Sequence, residues 1–471
     1  MQEAQPFFYR KENLVFPFTG TKSCGIIYIL REVVAIEKQY TVGLYTLGCK
    51  VSQYETEAIA EEFERRGFLR RPFDEVCDVY VINTCTVTAE SDRKSRQVIR
   101  RAYHKNPAAC IMVCGCYAQT TPGDIQKITG VSYISGTGGK MEIARRAEEL
   151  LQARPAMPVC AVSRVEDEPF EPMTITHAPR TRAYVKIEDG CECRCTYCAI
   201  PGARGLVRSK EPEAVLREVR GLAAGGSREI VLTGIETASY GVDLGNTRLI
   251  DLLEMLDREP GMPRLRLGSL TPELIRPDFV RRLAALRCIT PHLHLSMQSG
   301  SDTVLRGMRR RYNTSMALSG LRALREAIPA MQFTTDMMVG FPGETDESFE
   351  ETMAFCREAA FLDMHVFAYS RRPGTPAADF MDQVPEPLKR ERSARLIALK
   401  NEIRQEILSR LVEEGQPLSV LFETEEGGVY TGHTDTYVEV KAASAQPLSG
   451  EIVAVRPQEA RDGVIFGEII K

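Results

Sequence analysis

The chain has 471 residues, 43% of them hydrophobic and 26% charged, and a net charge of −4. That length allows about three domains, and the composition is that of an ordinary globular protein. The slight negative charge excludes a general nucleic-acid binder of the usual basic kind, and no run of about 18 apolar residues is present to span a bilayer.

Residues 1–38 read as a leader of mixed composition, expected to be either a poorly ordered tail or an over-long start. Its apolar patch Cys24–Leu30 is short, is flanked by charges and lacks the layout of a secretory signal. Fourteen cysteines, clustered in a large chain without such a signal, point to metal or redox chemistry in a reducing cytoplasm rather than to disulfides.

From residue 40 strands and helices alternate. Strands are predicted at Tyr40–Thr46, Asp78–Asn83, Ile111–Cys114 and Val131–Ser135. Helices are predicted at Ser52–Phe68, Ser91–Tyr103 and Lys140–Leu151, the first with Ser52 and Glu55 placed as a capping box. The alternation implies a parallel sheet covered by helices, a small doubly wound domain over 39–151. Residues 152–181 are rich in proline and read as a linker.

A second series, 182–411, has candidate strands at Ala183–Ile187, Glu229–Thr233, Arg264–Gly268, His292–Met297, Phe333–Val339 and Met364–Tyr369. Helical patterns between them include Glu213–Ala224, Leu249–Asp257, Pro272–Ala285 and Asp346–Ala359. Six strands with five crossovers suit an open, partial (β/α)6 barrel, whose lateral gap can admit a macromolecule. Leu388–Leu411 is a long charged helix. Residues 412–471 turn to five short strands, Ser419–Glu423, Gly428–Gly432, Thr436–Val440, Glu451–Arg456 and Gly463–Ile470, which suit a small barrel of the oligonucleotide-binding kind. The fold class is therefore α/β with a C-terminal β-barrel.

The most informative feature is Gly190-Cys-Glu-Cys-Arg-Cys-Thr-Tyr-Cys198, which spaces Cys191, Cys195 and Cys198 as Cys-x3-Cys-x2-Cys. A structural zinc site takes four closing ligands, and a [4Fe–4S] cluster is usually held by four cysteines. Three thiolates from one loop leave one iron open to a ligand. Cys193 makes a four-thiolate zinc knot an alternative, but its spacing of one residue from Cys195 suits a tetrahedral ion poorly. The loop follows the first strand of the expected barrel, at the edge where α/β barrels keep their chemistry.

A second set is dispersed. Cys49 lies in Thr46-Leu-Gly-Cys-Lys-Val-Ser-Gln-Tyr54, Cys85 in Asn83-Thr-Cys-Thr-Val-Thr88 and Cys116 in Cys114-Gly-Cys-Tyr-Ala-Gln119. Each follows a predicted strand, so adjacent parallel strands would bring the three to one sheet edge. The alternative is that they are small core residues. Cys77, Cys110, Cys160, Cys288 and Cys356 read as structural, whereas Cys24, Cys114 and Cys193 are ambiguous.

Two three-cysteine sets, the Cys-x3-Cys-x2-Cys loop and a C-terminal barrel together resemble the radical S-adenosylmethionine methylthiotransferases, over about residues 40–471. Thr46–Thr56, Asn83–Thr88, Thr335-Asp-Met-Met-Val-Gly-Phe-Pro-Gly-Glu-Thr345 and Tyr369-Ser-Arg-Arg-Pro-Gly-Thr-Pro376 look like the branch that acts on N6-threonylcarbamoyladenosine next to the tRNA anticodon. The family loop usually reads Gly-Cys-Asn-Asn-Phe-Cys; here Cys193 and Arg194 replace Asn and Phe, and Gly202 stands where a bulky aromatic is common.

The resemblance implies two [4Fe–4S] clusters. The one on Cys191, Cys195 and Cys198 would bind and cleave S-adenosylmethionine. The auxiliary one on Cys49, Cys85 and Cys116 would hold the sulfur to be inserted at carbon 2 of the adenine. A second S-adenosylmethionine would supply the methyl group. No side chain is expected to act as a direct acid or base. Candidate cofactor contacts are Tyr197, Thr233, Gly234, Glu236, Ser296, Gln298, Asp336, Gly340 and Glu344, with Glu236 expected to meet the methionine ammonium. Implied partners are the tRNA anticodon loop, a reductant such as flavodoxin or ferredoxin, and a sulfur donor, with no membrane.

Phosphate contacts need cations, and Arg93, Lys94, Arg309, Arg310, Arg371 and Arg372 are the candidates. The C-terminal barrel resembles a TRAM domain, a tRNA-binding module, yet from residue 411 onward it carries eleven acids against four bases. Other parts of the chain, or one basic face, must then grip most of the tRNA. Alternative readings are a sibling enzyme acting on isopentenyl-adenosine or on a ribosomal protein, and a non-catalytic, zinc-dependent RNA-binding protein.

Overall fold

In the computed structural model residues 39–178 and 181–470 are described; the leader 1–38, with Cys24, lies outside the described residues. The first domain is built on six parallel strands: β1 (Thr41–Thr46), β2 (Leu69–Arg71), β3 (Val79–Thr84), β4 (Cys110–Gly115), β5 (Val131–Ser135) and β6 (Val159–Ala161). Their order in the sheet is β2-β1-β3-β4-β5-β6. β3 and β4 are buried at every position, as near-continuous apolar runs must be when helices cover both faces. One apolar cluster on Tyr80, Ile82, Ile111 and Val113 and another on Val79, Val81, Cys110, Met112 and Cys114 lie on the two faces. Strand alternation thus sorts β4, and it settles Cys114. That thiol is a core group, and burial pushes it up to about 12.

The first helix runs Lys50–Arg65, starting two residues before the expected position, with Cys49 at its N-cap and no side-chain cap bond. The expected capping box does not form. Ser52 and Glu55 are both inside the helix and fully buried, and Glu55 is claimed by buried cations described below. The proline-rich segment 152–181 connects the domains but has structure of its own. It adds β6 to the sheet, buries Met173 and Ile175, and its Thr176 N–H donates to Glu61 at 2.8 Å.

The second domain has strands β7 (Arg182–Lys186), β8 (Glu188–Asp189), β9 (Arg208–Ser209), β10 (Glu229–Thr233), β11 (Arg264–Leu267), β12 (Ser269–Leu270), β13 (His292–Gln298), β14 (Gln332–Val339) and β15 (Asp363–Ala368). β8 and β9 form a small antiparallel ladder. The others make an open parallel wall in two parts, β11-β10-β7 and β12-β13-β14-β15. The expected third strand is broken at Gly268, where a Cβ would meet Leu232 O at 3.0 Å. The expected helix Pro272–Ala285 is also divided, into a 3-10 turn Pro272–Leu274 and a helix Pro277–Leu283. Pro277 has no N–H for a continuous ladder and instead begins the second piece.

Leu293, Leu295 and Met297 of β13 enter the main core with Phe333, Met337 and Val339 of β14. By the two-residue period, His292, His294, Ser296, Thr334 and Asp336 line the inner face of the wall. A helix, Glu386–Glu414, packs along β15 and on to the C-terminal barrel. That barrel closes in the order β16-β17-β18-β20-β19, from β16 (Leu418–Glu426), β17 (Val429–Thr434), β18 (Glu439–Ala443), β19 (Ile452–Arg461) and β20 (Val464–Ile469).

The C-terminal barrel docks under the N-terminal ends of the parallel strands. Tyr437, in a left-handed turn at φ +73, stacks between His292 and His433 with ring centroids 4.7 and 5.0 Å away. Arg182 pairs with Glu423 at 2.8 Å. An acid of this domain is therefore answered within the protein. No helix among the described residues is long and apolar enough to cross a membrane.

Candidate cluster and cofactor site

Cys49, Cys85 and Cys116 sit just beyond β1, β3 and β4, three neighbours in the sheet. The turns that deliver them are tight. Gly115 has φ +97, and a Cβ there would lie 2.4 Å from Thr84 O. A Cβ on Gly48 would lie 3.4 Å from Cys85 Cβ. Burial pushes Cys85 up to about 11, with Cys116 and Cys49 near enough to add to the shift, and Cys49 adds to the burial that raises Cys116.

The Cys191–Cys198 loop is held from several sides. Cys191 N–H donates to Gly205 O at 3.0 Å and Thr196 N–H to Met308 O at 3.2 Å. Thr196 Oγ1 donates to Gly307 O at 2.9 Å. Gly190, at φ +89, passes so close to Leu206 O that a Cβ would stand 1.9 Å from it. Cys191, Cys195 and Cys198 line one cavity of about 460 Å³, with Arg309 and Pro376 at its wall. Cys193 stays beside Cys191: its N–H donates to Cys191 Sγ at 3.5 Å, and the two thiols are hydrogen-bonded.

Among the described residues no three histidine, cysteine, aspartate or glutamate side chains gather closely enough to ligate a single ion. Three soft thiol donors spread around a roomy mouth suit a multi-iron cluster with one open iron. A second cavity of about 290 Å³ lies between the domains, lined by residues such as Thr46, Tyr54 and Arg182, away from the loop.

The expected cofactor contacts divide. Glu236 is buried, and its Oε1 has no hydrogen-bond partner. Burial pushes its carboxyl up to about 8, Cys193 adding to the shift and Arg310 opposing it. A buried, unpartnered carboxyl oxygen beside the loop could accept from an ammonium group. Gln298 is buried with φ +68 at the end of β13, a conformation uncommon for a residue with a Cβ and concentrated at functional sites. Tyr197 packs partly buried beside Val304 and Phe341. Thr233 and Ser296 lie on strands next to the loop; Ser296 O accepts from Arg310 and Tyr312, both at 2.9 Å.

The other expected contacts are committed elsewhere. A Cβ on Gly234 would meet Glu188 Oε2 at 2.4 Å, so packing against Glu188 explains that glycine. Gly340, at φ +71, makes room for Lys389. Glu344 accepts from Gly340 N–H at 2.8 Å and from Arg392 at 2.7 Å. Asp336 bridges two imidazoles, His294 Nε2 and His365 Nδ1, each at 3.2 Å.

Of the expected phosphate contacts, Arg93, Lys94, Arg309 and Arg371 are exposed, Arg93 forming an ion pair with Glu90. Arg310 and Arg372 are turned inward. Arg310 Nη1 donates to Cys195 Sγ at 3.2 Å. Arg372 donates to Asp92 at 2.7 Å and Thr86 Oγ1 at 2.6 Å, tying the barrel to the turn after Cys85. Two groups went unforeseen as site residues. Arg204, fully buried, donates Nε to Cys116 Sγ at 3.3 Å. Tyr312 steadies Arg310, accepting from its Nε at 2.9 Å. The motif Ile200–Gly205 held the signal for Arg204: an arginine six residues past the third loop cysteine, with no partner in its own segment.

Residues 185–356 match the radical SAM superfamily, and residues 41–136 match a family described as uncharacterized protein family UPF0004. The chain is 44% identical over 422 residues to the threonylcarbamoyladenosine tRNA methylthiotransferase MtaB of Bacillus subtilis (strain 168), covering 88% of this chain and 93% of the relative. It is 35% identical to the protein of the same name from Aquifex aeolicus (strain VF5), covering 88% and 99%. It is 34% identical to the tRNA-2-methylthio-N(6)-dimethylallyladenosine synthase of Carboxydothermus hydrogenoformans, covering 90% and 98%. Among solved structures, the radical S-adenosylmethionine methyltransferase TsrM of Kitasatospora setae matches with a TM-score of 0.54 at 18% identity, over 72% of this chain and 77% of that one; the likeness is one of fold.

Proposed function

The chain belongs to the tRNA methylthiotransferase family of radical S-adenosylmethionine enzymes, and from that premise we propose that it converts N6-threonylcarbamoyladenosine, next to the anticodon of tRNA, to its 2-methylthio derivative. The observation that carries this reading is the pair of three-thiol mouths, one on each parallel sheet, joined through the buried Arg204. The choice of modified base rests on the 44% identity to the Bacillus relative.

On this reading Cys191, Cys195 and Cys198 hold the cluster that faces S-adenosylmethionine, and Cys49, Cys85 and Cys116 hold the auxiliary one. When bound, these groups supply one-electron cleavage of a carbon–sulfur bond, hydrogen removal at adenine carbon 2, and the inserted sulfur and methyl group. Glu236 receives the methionine ammonium, and Gln298 marks the strand end against which the rest of that cofactor lies. Arg310 fixes Cys195 Sγ from behind, as outer partners orient ligands elsewhere. Arg93, Lys94, Arg309 and Arg371 meet the tRNA backbone. The modified base must leave its stack to reach the mouth between the sheets. A reductant such as flavodoxin or ferredoxin and a sulfur donor complete the requirements, in a reducing cytoplasm.

Mass spectrometry of tRNA nucleosides from a deletion strain tests the reading. The 2-methylthio derivative of threonylcarbamoyladenosine should vanish and its precursor accumulate, with both restored by the gene. Loss of a methylthiolated dimethylallyladenosine instead would assign the chain to the sibling reaction.

A further inference from the structure

Arg204 stands at a junction of five buried charges drawn from both domains. Its Nη1 donates to Glu55 Oε1 at 2.7 Å and to both oxygens of Asp189 at 3.0 Å. Its Nη2 donates to Glu55 Oε2 at 3.2 Å. Lys140 meets Glu55 at 2.7 Å, and Lys186 bridges Glu55 at 3.0 Å and Asp189 at 2.6 Å. Glu55 and Lys140 come from the first domain, Lys186, Asp189 and Arg204 from the second. Arg208 at 3.9 Å from Asp189 and the half-buried Glu171 near Lys140 lie at its edge.

Glu188, also buried, acts on Lys186 and Asp189, so four carboxylates share the four cations, and loss of any one partner would leave a buried charge unpaired. The remaining group within reach of Arg204 is the sulfur of Cys116, 3.3 Å from Nε, which is anionic once it ligates iron.

We propose that Arg204 is a positioning residue of the auxiliary cluster: its charged hydrogen bond to Cys116 Sγ raises that cluster's reduction potential, while its grip on Glu55 and Asp189 fixes the Cys116 turn against the start of the Cys191–Cys198 loop. A positive charge and an N–H aimed at a ligand sulfur both favour the reduced, more negative cluster. Glu55 holds the guanidinium in plane, and Asp189, two residues before Cys191, carries the same restraint to the other mouth. This rests on the assignment of Cys116 as a ligand.

The test uses the full chain with Cys191→Ala, Cys195→Ala and Cys198→Ala, reconstituted anaerobically so that the auxiliary cluster is present alone, and an EPR-monitored redox titration. Arg204→Lys and Arg204→Gln should move the midpoint to more negative potential at unchanged iron content, Gln further than Lys. A midpoint that does not move in either variant overturns the proposal. If both variants fail to retain iron, the unsubstituted Arg204 chain decides. With 15N-labelled arginine, pulsed EPR of the reduced auxiliary cluster should show a weak nitrogen coupling, and its absence overturns the proposal. A triple-alanine chain that binds no iron at all would instead remove the two-cluster reading itself.

Discussion

Arg310 Nη1 lies 3.2 Å from Cys195 Sγ. The guanidinium is held there by Ser296 O and the Tyr312 hydroxyl, both at 2.9 Å, and the chain reaches that position through a left-handed residue, Arg309 at φ +59. Two arginines thus serve two thiol sets, Arg204 at Cys116 and Arg310 at Cys195. Neither side chain is free to meet a phosphate.

Arg310→Gln should therefore slow reductive cleavage of S-adenosylmethionine by about 10–100-fold, the usual effect of losing an outer partner of a metal ligand. Its affinity for tRNA should stay within about twofold, because a group turned inward makes no phosphate contact. A cleavage assay and a filter-binding titration separate the two; a large fall in tRNA affinity alone would return Arg310 to the RNA surface.

Anaerobically reconstituted protein should be brown and hold about eight irons per chain, four for each cubane. Replacing Cys191, Cys195 and Cys198 by alanine should leave about four and abolish cofactor cleavage. Iron analysis with the cleavage assay checks both, and cleavage that survives the triple replacement would remove the radical assignment.

Glu236 Oε1 is buried without a partner. If it receives an ammonium, Glu236→Gln removes a charge-assisted hydrogen bond of about 1.5–3 kcal/mol, so S-adenosylmethionine should bind about 10–150-fold more weakly. Calorimetric titration of reconstituted protein measures this. The chain without cofactor should be no less stable, since the substitution neutralises a carboxyl that burial already pushes up to about 8.

Asp336 sits between His294 and His365. Burial disfavours its charge, but the two imidazoles outweigh burial and hold its carboxyl below the usual range. The hydrogen bond to Asp336 raises His365 above its ordinary value. The His365 share of stability is thus fully present below about pH 6.5 and lost as pH rises through its raised value. The Asp336 share is present above about pH 4 and lost as pH falls through its depressed one. His365 is largely exposed, so its share is small. An NMR titration should place the His365 midpoint above 6.5, and Asp336→Asn should return it to the ordinary value.

Gly115→Ala should destabilise the first domain by at least about 1–3 kcal/mol, the cost of a left-handed residue with a Cβ. The new carbon would also stand 2.4 Å from Thr84 O. Because Gly115 delivers Cys116, auxiliary iron should be lost with stability. Thermal melting and iron content check the pair of effects.

Local sequence determined the main strands and most helices, and set Cys49, Cys85 and Cys116 just past strand ends, because strand periods and turn glycines act within a few residues; the short strands Leu69–Arg71, Val159–Ala161, Glu188–Asp189, Arg208–Ser209 and Ser269–Leu270 carried too little pattern to be read. Glu229–Thr233, Leu249–Asp257 and Asp346–Ala359 stand at their predicted bounds, where the hydrophobic period agrees with the tertiary environment. Glu55, Arg204, Arg310 and Glu344 were illegible by the same physics. A charged side chain in a sequence reads as solvated or capping, and its direction depends on partners tens to hundreds of residues away. Folding brought Glu55 to Arg204 across 149 positions and Arg310 to Cys195 across 115. The tertiary structure alone decided which charges face water and which face sulfur, because a buried charge persists only where opposite charges or ligands from other segments converge on it.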